Sequence, residues 1–153
     1  MTVGILGLGL IGGSFARAFA LEGHTVYAIQ RNENMLSFAM LAGAVHGKLD
    51  ETTIPQCDLI LLAIYPDGSA SWLEKNAALI SKDALVMDCC GIKEEICRRC
   101  FPLAEKYGFT FVGDTLWQAL SFPASSTAAL TCLQAHLWCL SPENLTASSC
   151  WIG

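Results

Sequence analysis

Charge is scarce in this sequence: Asp, Glu, Lys and Arg together make up 15% of its 153 residues, against 53% apolar ones. The nine Lys and Arg are scattered and the net charge is −5, so no basic stripe exists to meet a phosphate backbone. A nucleic-acid partner is therefore not expected. Nor does any apolar run approach the ~20 residues that cross a bilayer, so no membrane partner is expected either. Met1-Thr2 leads straight into a strand-like run, with neither a basic stretch nor a small-residue cleavage site, and the expected location is cytoplasmic. Eight cysteines are many, yet without a secretory signal they do not imply a disulfide framework. Cys97 and Cys100 form a C-x-x-C in a predicted helix. Zinc wants four ligands, and no second pair stands at suitable spacing before the C-terminal segment, so free thiols and no metal are expected.

What is present is an alternation. The length suits about one domain with a core of its own. Val3 to Leu6 is a short apolar run ending in glycines, as a buried parallel strand should be. Ile11 to Glu22 carries Ile11, Phe15, Ala18 and Phe19 at helical spacing, and Gly23 stops it. Thr25 to Ile29 reads as a strand, Glu33 to Ala42 as a helix closed by Gly43, and Asp58 to Ile64 as the most apolar strand, suited to the sheet centre. A helix over Gly68 to Ser81, a strand over Ala84 to Asp88, a helix over Lys93 to Lys106 stopped by Gly108, and a strand over Phe109 to Val112 complete the pattern. The predicted fold is α/β: a Rossmann-type, doubly wound, mostly parallel sheet covered on both faces.

After Gly113 the character changes. Residues 114–153 hold no Lys or Arg and only two acids, and neither period persists beyond a short predicted helix near Ala128 to Leu140. The expected organisation is a dinucleotide-binding domain over residues 1–113 and an irregular or partly helical tail over 114–153.

The turn Gly7-Leu8-Gly9-Leu10-Ile11-Gly12 fits G-x-G-x-x-G, and it follows a predicted strand and opens a predicted helix, which is the context the motif requires. Gly7 permits the tight turn, Gly9 lets the backbone approach a pyrophosphate, and Gly12 allows close helix–strand packing. The helix N-terminus adds free N–H groups and a positive dipole end. An acid about 20 residues past the turn would select NAD through the ribose 2′-hydroxyl. Here Gln30-Arg31-Asn32 stands in its place. Arg31 suits a 2′-phosphate, so NADP is favoured over NAD, a solvated arginine at a strand end being the plain alternative.

With these residues laid out, the chain resembles the prephenate/arogenate dehydrogenase family of tyrosine biosynthesis. The resemblance runs from Met1 to Gly113. It rests on Gly7-Leu8-Gly9-Leu10-Ile11-Gly12-Gly13-Ser14, on Ala63-Ile64-Tyr65-Pro66, and on Asp88-Cys89-Cys90-Gly91-Ile92-Lys93, with Gly91 where many members carry serine. It implies NAD(P)-dependent oxidative decarboxylation of a cyclohexadienyl acid, prephenate or arogenate, with a histidine acting on the hydroxyl proton. It places Ala63, Ile64, Tyr65 and Pro66 along the cofactor, and Asp88 and Gly91 beside the nicotinamide. Lys93 is either a substrate-side residue or a solvated helix-start lysine.

The family's histidine sits in G-G-H-P-M-A-G after a strand ending like Phe111-Val112-Gly113. Here the chain continues Asp114-Thr115-Leu116-Trp117, and His24, His46 and His136 do not match that position. A frame change explains the mismatch. The codons GGG GAC ACC CTA TGG CAG GCA encode Gly113 to Ala119, and read two bases later they give GGA CAC CCT ATG GCA, which is Gly-His-Pro-Met-Ala. With suitable codons the alternative frame continues to about Pro142 as GHPMAGTQFSGFKHSRADLFAGASMVLVP, although most bases are fixed by the observed residues. On this reading the chain lacks the base and the helical domain that completes the family's substrate site and homodimer. A cradle without turnover is expected, together with an apolar face left for association. Two alternatives stay open: another two-domain dehydrogenase, of hydroxyacids or imines, and a stand-alone dinucleotide-binding or redox-sensing module.

Overall fold

The computed structural model describes residues 1–91 and 94–113. The chain divides into two compact units, Met1–Thr115 and Leu116–Gly153, and every described residue lies in the first. The tail over 114–153 is therefore outside the described residues. The described elements are β1 (Thr2–Leu6), α1 (Leu10–Leu21), β2 (Thr25–Ile29), α2 (Glu33–Leu41), β3 (Gly47–Lys48), β4 (Leu59–Leu62), α3 (Pro66–Asn76), β5 (Leu85–Asp88), α4 (Glu94–Tyr107) and β6 (Thr110–Gly113).

The six strands form one sheet in the order β3-β2-β1-β4-β5-β6, and every pairing is parallel. The chain starts at the centre, winds out to β3, returns to β4 and winds out the other way. Right-handed crossovers then place α1 and α2 on one face and α3 and α4 on the other. The expected doubly wound Rossmann sheet is the observed one.

Composition explains who sits in the middle. Val3, Ile5 and Leu6 of β1 and all four residues of β4 are buried, as strands covered on both faces must be. On the α3–α4 face, Ala70 and Leu73 of α3 and Ile96, Cys100 and Ala104 of α4 pack with Ile60, Leu62 and Val86. Each large side chain shut from water there contributes about 1.5–3 kcal/mol. On α1, Phe15 and Phe19 are one turn apart, with ring centroids 6.2 Å from each other, and both are buried. Helices α1, α2 and α4 are followed by Gly23, Gly43 and Gly108 at φ +80°, +70° and +88°, the left-handed backbone that stops a helix most cheaply at glycine.

Most boundaries lie within a residue of the sequence expectations, and three differ by more. The central strand ends at Leu62, not Ile64, because the chain turns away into α3. That helix begins at Pro66, not Gly68, with the ring at the first helical position, where no N–H is needed. It also ends at Asn76 and passes into a 3-10 turn over Ala77–Leu79. Strand β3 was not foreseen, since two residues carry no periodicity. It pairs with Tyr27 and Ala28, and His46 prolongs the edge: its N–H donates to Val26 O at 2.7 Å, and its Nδ1 accepts the Val26 N–H at 3.0 Å.

Helix α2 buries none of its residues, and Phe38 and Leu41 are 72% and 88% exposed. No disulfide joins any of the five described cysteines. Burial, and then the Asp58 carboxylate, pushes the Cys57 thiol up to about 12. Burial followed by Asp88 does the same to Cys100, also to about 12. Among the described residues no helix is long and apolar enough to cross a membrane, and no group of three ligating side chains could hold a metal.

Candidate cofactor-binding site

Register builds the site. Leu6 pairs with Ile29 on one side and Leu62 on the other, Leu62 pairs with Asp88, and Asp88 with Gly113. Five parallel strands thus reach one line at their carboxyl ends. The segments leaving that line begin at Gly7, Gln30, Ala63 and Cys89. Between β1 and β4 the crossovers depart to opposite faces, the switch point where open α/β sheets bind ligands. Residues 7–12, 30–32, 63–66 and 88–91, far apart in sequence, are brought to this edge.

The three glycines of the turn have different surroundings, and the fold requires two of them. Gly7 is buried at φ +93°, and a Cβ there would lie 2.4 Å from Ile64 Cγ2 and 2.8 Å from Ala63 O. Its N–H donates to Ile29 O at 2.9 Å, bracing the turn on β2. At Gly12 a Cβ would fall 1.9 Å from Gly7 O and 3.2 Å from Ala63 Cβ, so helix and turn touch backbone to backbone. Gly9 is the opposite case. It is exposed and extended, at φ −71° and ψ −162°, and nothing lies within 4 Å of where its Cβ would be. The fold does not need Gly9 bare.

The start of α1 is itself prepared for an anion. Gly9 supplies no side-chain cap and the first turn holds no acid, while twelve residues of helix add their dipole. Leu8 is buried beneath the turn, Ile11 is half-buried, and Leu10 is 94% exposed on its outer side. Ser14 Oγ turns inward and donates to Leu10 O at 2.6 Å.

At the end of β2, Gln30 Oε1 accepts the Arg31 N–H at 2.9 Å. Asn32 caps α2, its Oδ1 accepting from the N–H groups of Asn34 and Met35 at 3.0 and 3.3 Å. Arg31 is exposed, and it has no carboxylate partner among the described residues. Its charge is available at the rim.

Ala63 and Ile64 follow β4, with Ala63 N–H donating to Leu6 O at 2.9 Å, while Tyr65 is 85% exposed. Pro66 opens α3. Asp88 is completely buried, and its Oδ1 accepts the Cys90 N–H at 3.1 Å, holding the turn after β5. Gly91 is exposed just beyond. Lys93 lies outside the described residues. Sequence reasoning missed two side chains that meet at Ile64 O: Cys90 Sγ donates to it at 2.6 Å and buried Ser69 Oγ at 3.3 Å. Ser69 falls in no motif, Cys90 shows no sign of this partner within the Asp88–Lys93 segment, and only the fold brings them together.

A family model described as "Prephenate dehydrogenase, nucleotide-binding domain" matches residues 15–116. The chain belongs to this family. The match opens inside α1, so the glycine turn stands on its own geometry, and it closes three residues past β6. Among solved structures, the chain is similar to prephenate dehydrogenase from Aquifex aeolicus in complex with hydroxyphenyl propionate and NAD+, at 25% identity and a TM-score of 0.62, covering 74% of this chain and 40% of that one. Arogenate dehydrogenase from Synechocystis shows the same fold at 17% identity, with TM-score 0.58 and 97% and 78% of the two chains covered. So does 3-hydroxyisobutyrate dehydrogenase from Mycobacterium tuberculosis, at 20% identity and TM-score 0.66, over 73% and 39%. The chain spans well under two thirds of the length of the Aquifex protein. No curated protein matches it at a significant level.

Proposed function

We propose that residues 1–113 bind a nicotinamide dinucleotide, NADP in preference to NAD, across the carboxyl edge of the sheet. The observation that carries this reading is the contrast at the glycine turn: Gly7 and Gly12 are filled to contact by their own fold, and Gly9 faces open space. Gly7 to Gly12 with the α1 N-terminus would hold the pyrophosphate. Arg31 would pair with a 2′-phosphate, Gln30 and Asn32 shaping the loop around it. Ala63 to Pro66 would run along the cofactor, and Asp88 with Gly91 would shape the nicotinamide end. When bound, the cofactor supplies the hydride acceptor. What supports its fit to this chain is bare backbone at Gly9, the α1 dipole and an Arg31 with no carboxylate partner among the described residues.

The family points further, to oxidative decarboxylation of prephenate or arogenate in tyrosine biosynthesis, with the family's homodimer, in the cytoplasm. In support, β6 ends at Gly113 directly beside Asp88 of β5. The alternative reading frame would restore Gly-His-Pro-Met-Ala immediately past that strand end, placing a histidine at the rim of the site where an acid–base group belongs. We infer that residues 114–153 are read out of frame and that this chain binds cofactor without turning over substrate. Titration with NADP and NAD tests the cradle, and failure to bind either would overturn it. Sequencing the gene around the Gly113 codon tests the frame, and codons that cannot yield the alternative reading would sink it. Dehydrogenation of prephenate or arogenate by the purified chain would refute the inactivity.

A further inference from the structure

Ile64 joins the two halves of the site. Its side chain lies against the turn from below, with Cγ2 2.4 Å from where a Cβ on Gly7 would be and Cδ1 2.9 Å from the equivalent position on Gly68. Its carbonyl accepts two side-chain donors, Cys90 Sγ at 2.6 Å and Ser69 Oγ at 3.3 Å. Ser69 belongs to α3 and follows Ile64 within the same segment. Cys90 comes from the far side, from the turn after β5, whose own N–H is fixed on the buried Asp88 carboxylate. A chain of contacts therefore runs from Asp88 through Cys90 and Ile64 to Gly7.

We propose that Cys90 is a positioning residue for the phosphate-binding turn: its thiol holds the Ile64 carbonyl, and Ile64 in turn sets where Gly7 to Gly12 sits. The inference rests on the cofactor reading above for its functional half. The reason is geometric. Ala63 and Ile64 have left the ladder of β4, so among the described residues the one strand bond that fixes their main chain is from Ala63 N–H to Leu6 O. Side-chain donors take over that task, and one of them reaches across from another loop. Without the Cys90 thiol the half-buried carbonyl keeps only the 3.3 Å bond from Ser69, which belongs to its own segment, so among the described residues no hydrogen bond from the β5 side would hold that segment in place. Because Gly7 packs on Ile64 without a side chain of its own, a shift of that segment passes straight into the turn.

The test uses the full chain in three forms: wild type, Cys90→Ala and Cys90→Ser. Hydrogen exchange of the ligand-free protein reads the tie itself. In Cys90→Ala, peptides covering residues 63–69 and 7–12 should exchange at least fivefold faster, while peptides from α4 and β2 keep their rates. Cys90→Ser, whose hydroxyl can donate to the same carbonyl, should return both segments to within twofold of wild type. NADP titration reads the consequence: about five- to tenfold weaker binding for Cys90→Ala, and near wild-type affinity for Cys90→Ser. Unchanged exchange in Cys90→Ala overturns the proposal, as does faster exchange with unchanged affinity, or a serine variant no better than alanine. If the wild type binds no dinucleotide, the cofactor reading fails, and the exchange rates still decide whether Cys90 holds Ile64 and the turn.

Discussion

Replacing Gly9 by alanine should separate binding from folding. Gly9 sits at φ −71° and ψ −162°, extended backbone that alanine adopts, and a new Cβ would meet nothing within 4 Å. A Gly→Ala change at a compatible position stabilises by about 0.4–1 kcal/mol, because the unfolded chain has less freedom to lose. In a domain of this size that is an upward shift in Tm of roughly 2–5 °C. The same methyl group stands where the pyrophosphate would meet the backbone. Cofactor affinity should fall at least tenfold, ~1.4 kcal/mol or more. Thermal unfolding followed by circular dichroism gives the first number and calorimetric titration with NADP the second. A Gly9→Ala protein that binds NADP as tightly as wild type would refute the placement of the cofactor. One that unfolds well below wild type would refute the claim that the fold itself has no need of this glycine.

The neighbouring glycines should behave in the reverse way. Gly12→Ala forces a Cβ to 1.9 Å from Gly7 O and should lower stability by more than about 2 kcal/mol in urea unfolding, the cost of overpacked backbone. Arg31→Ala should weaken NADP binding about tenfold, as losing a charge-assisted bond of ~1.5 kcal/mol would, and leave NAD affinity unchanged. An equal loss for both cofactors would remove Arg31 from the 2′-phosphate. His46→Ala should cost ~1 kcal/mol through the lost Val26 N–H bond, and His46→Asn, which offers an oxygen near the Nδ1 position, should recover much of it. Stability should also fall on the alkaline side. Cys57 and Cys100 are raised from 9.0 to about 12 in the folded chain, so their contribution is whole below pH 9 and is lost as pH climbs towards 12. Denaturation curves across that range should lose their slope in part when Cys57 is replaced by Val.

Elements with a period or a stop signal could be read from sequence; contacts between distant loops could not. The apolar run of β4, the phenylalanines of α1 and the glycines after three helices all wrote their structure locally. Strand β3 did not, because two residues paired at a sheet edge depend on a partner and have no pattern of their own. The start of α3 lies two residues ahead of the expected Gly68, because Pro66 is itself the first helical residue. Within the site, Gly7, Gly9 and Gly12 were equivalent letters of one motif in the sequence. Only the fold distinguishes two that are packed to contact from one that is open. The sequence puts Asp88 at the end of a strand, as β5 shows, but its burial and its bond to Cys90 depend on tertiary packing. The Cys90–Ile64 tie joins residues 26 positions apart and left no trace in either segment.

Helix α2, which buries none of its side chains, follows directly on Gln30, Arg31 and Asn32. The residues that would read the 2′ position therefore sit at the head of the least anchored helix of the domain. Exchanging exposed Arg31 would disturb no core packing and cost little stability, whereas exchanging Asn32 would cost about 1 kcal/mol through the lost cap. On the cofactor reading proposed above, the preference between the two nicotinamide cofactors would hang on exposed Arg31, while the glycine turn, wedged against Ile64 and Ala63, stays fixed.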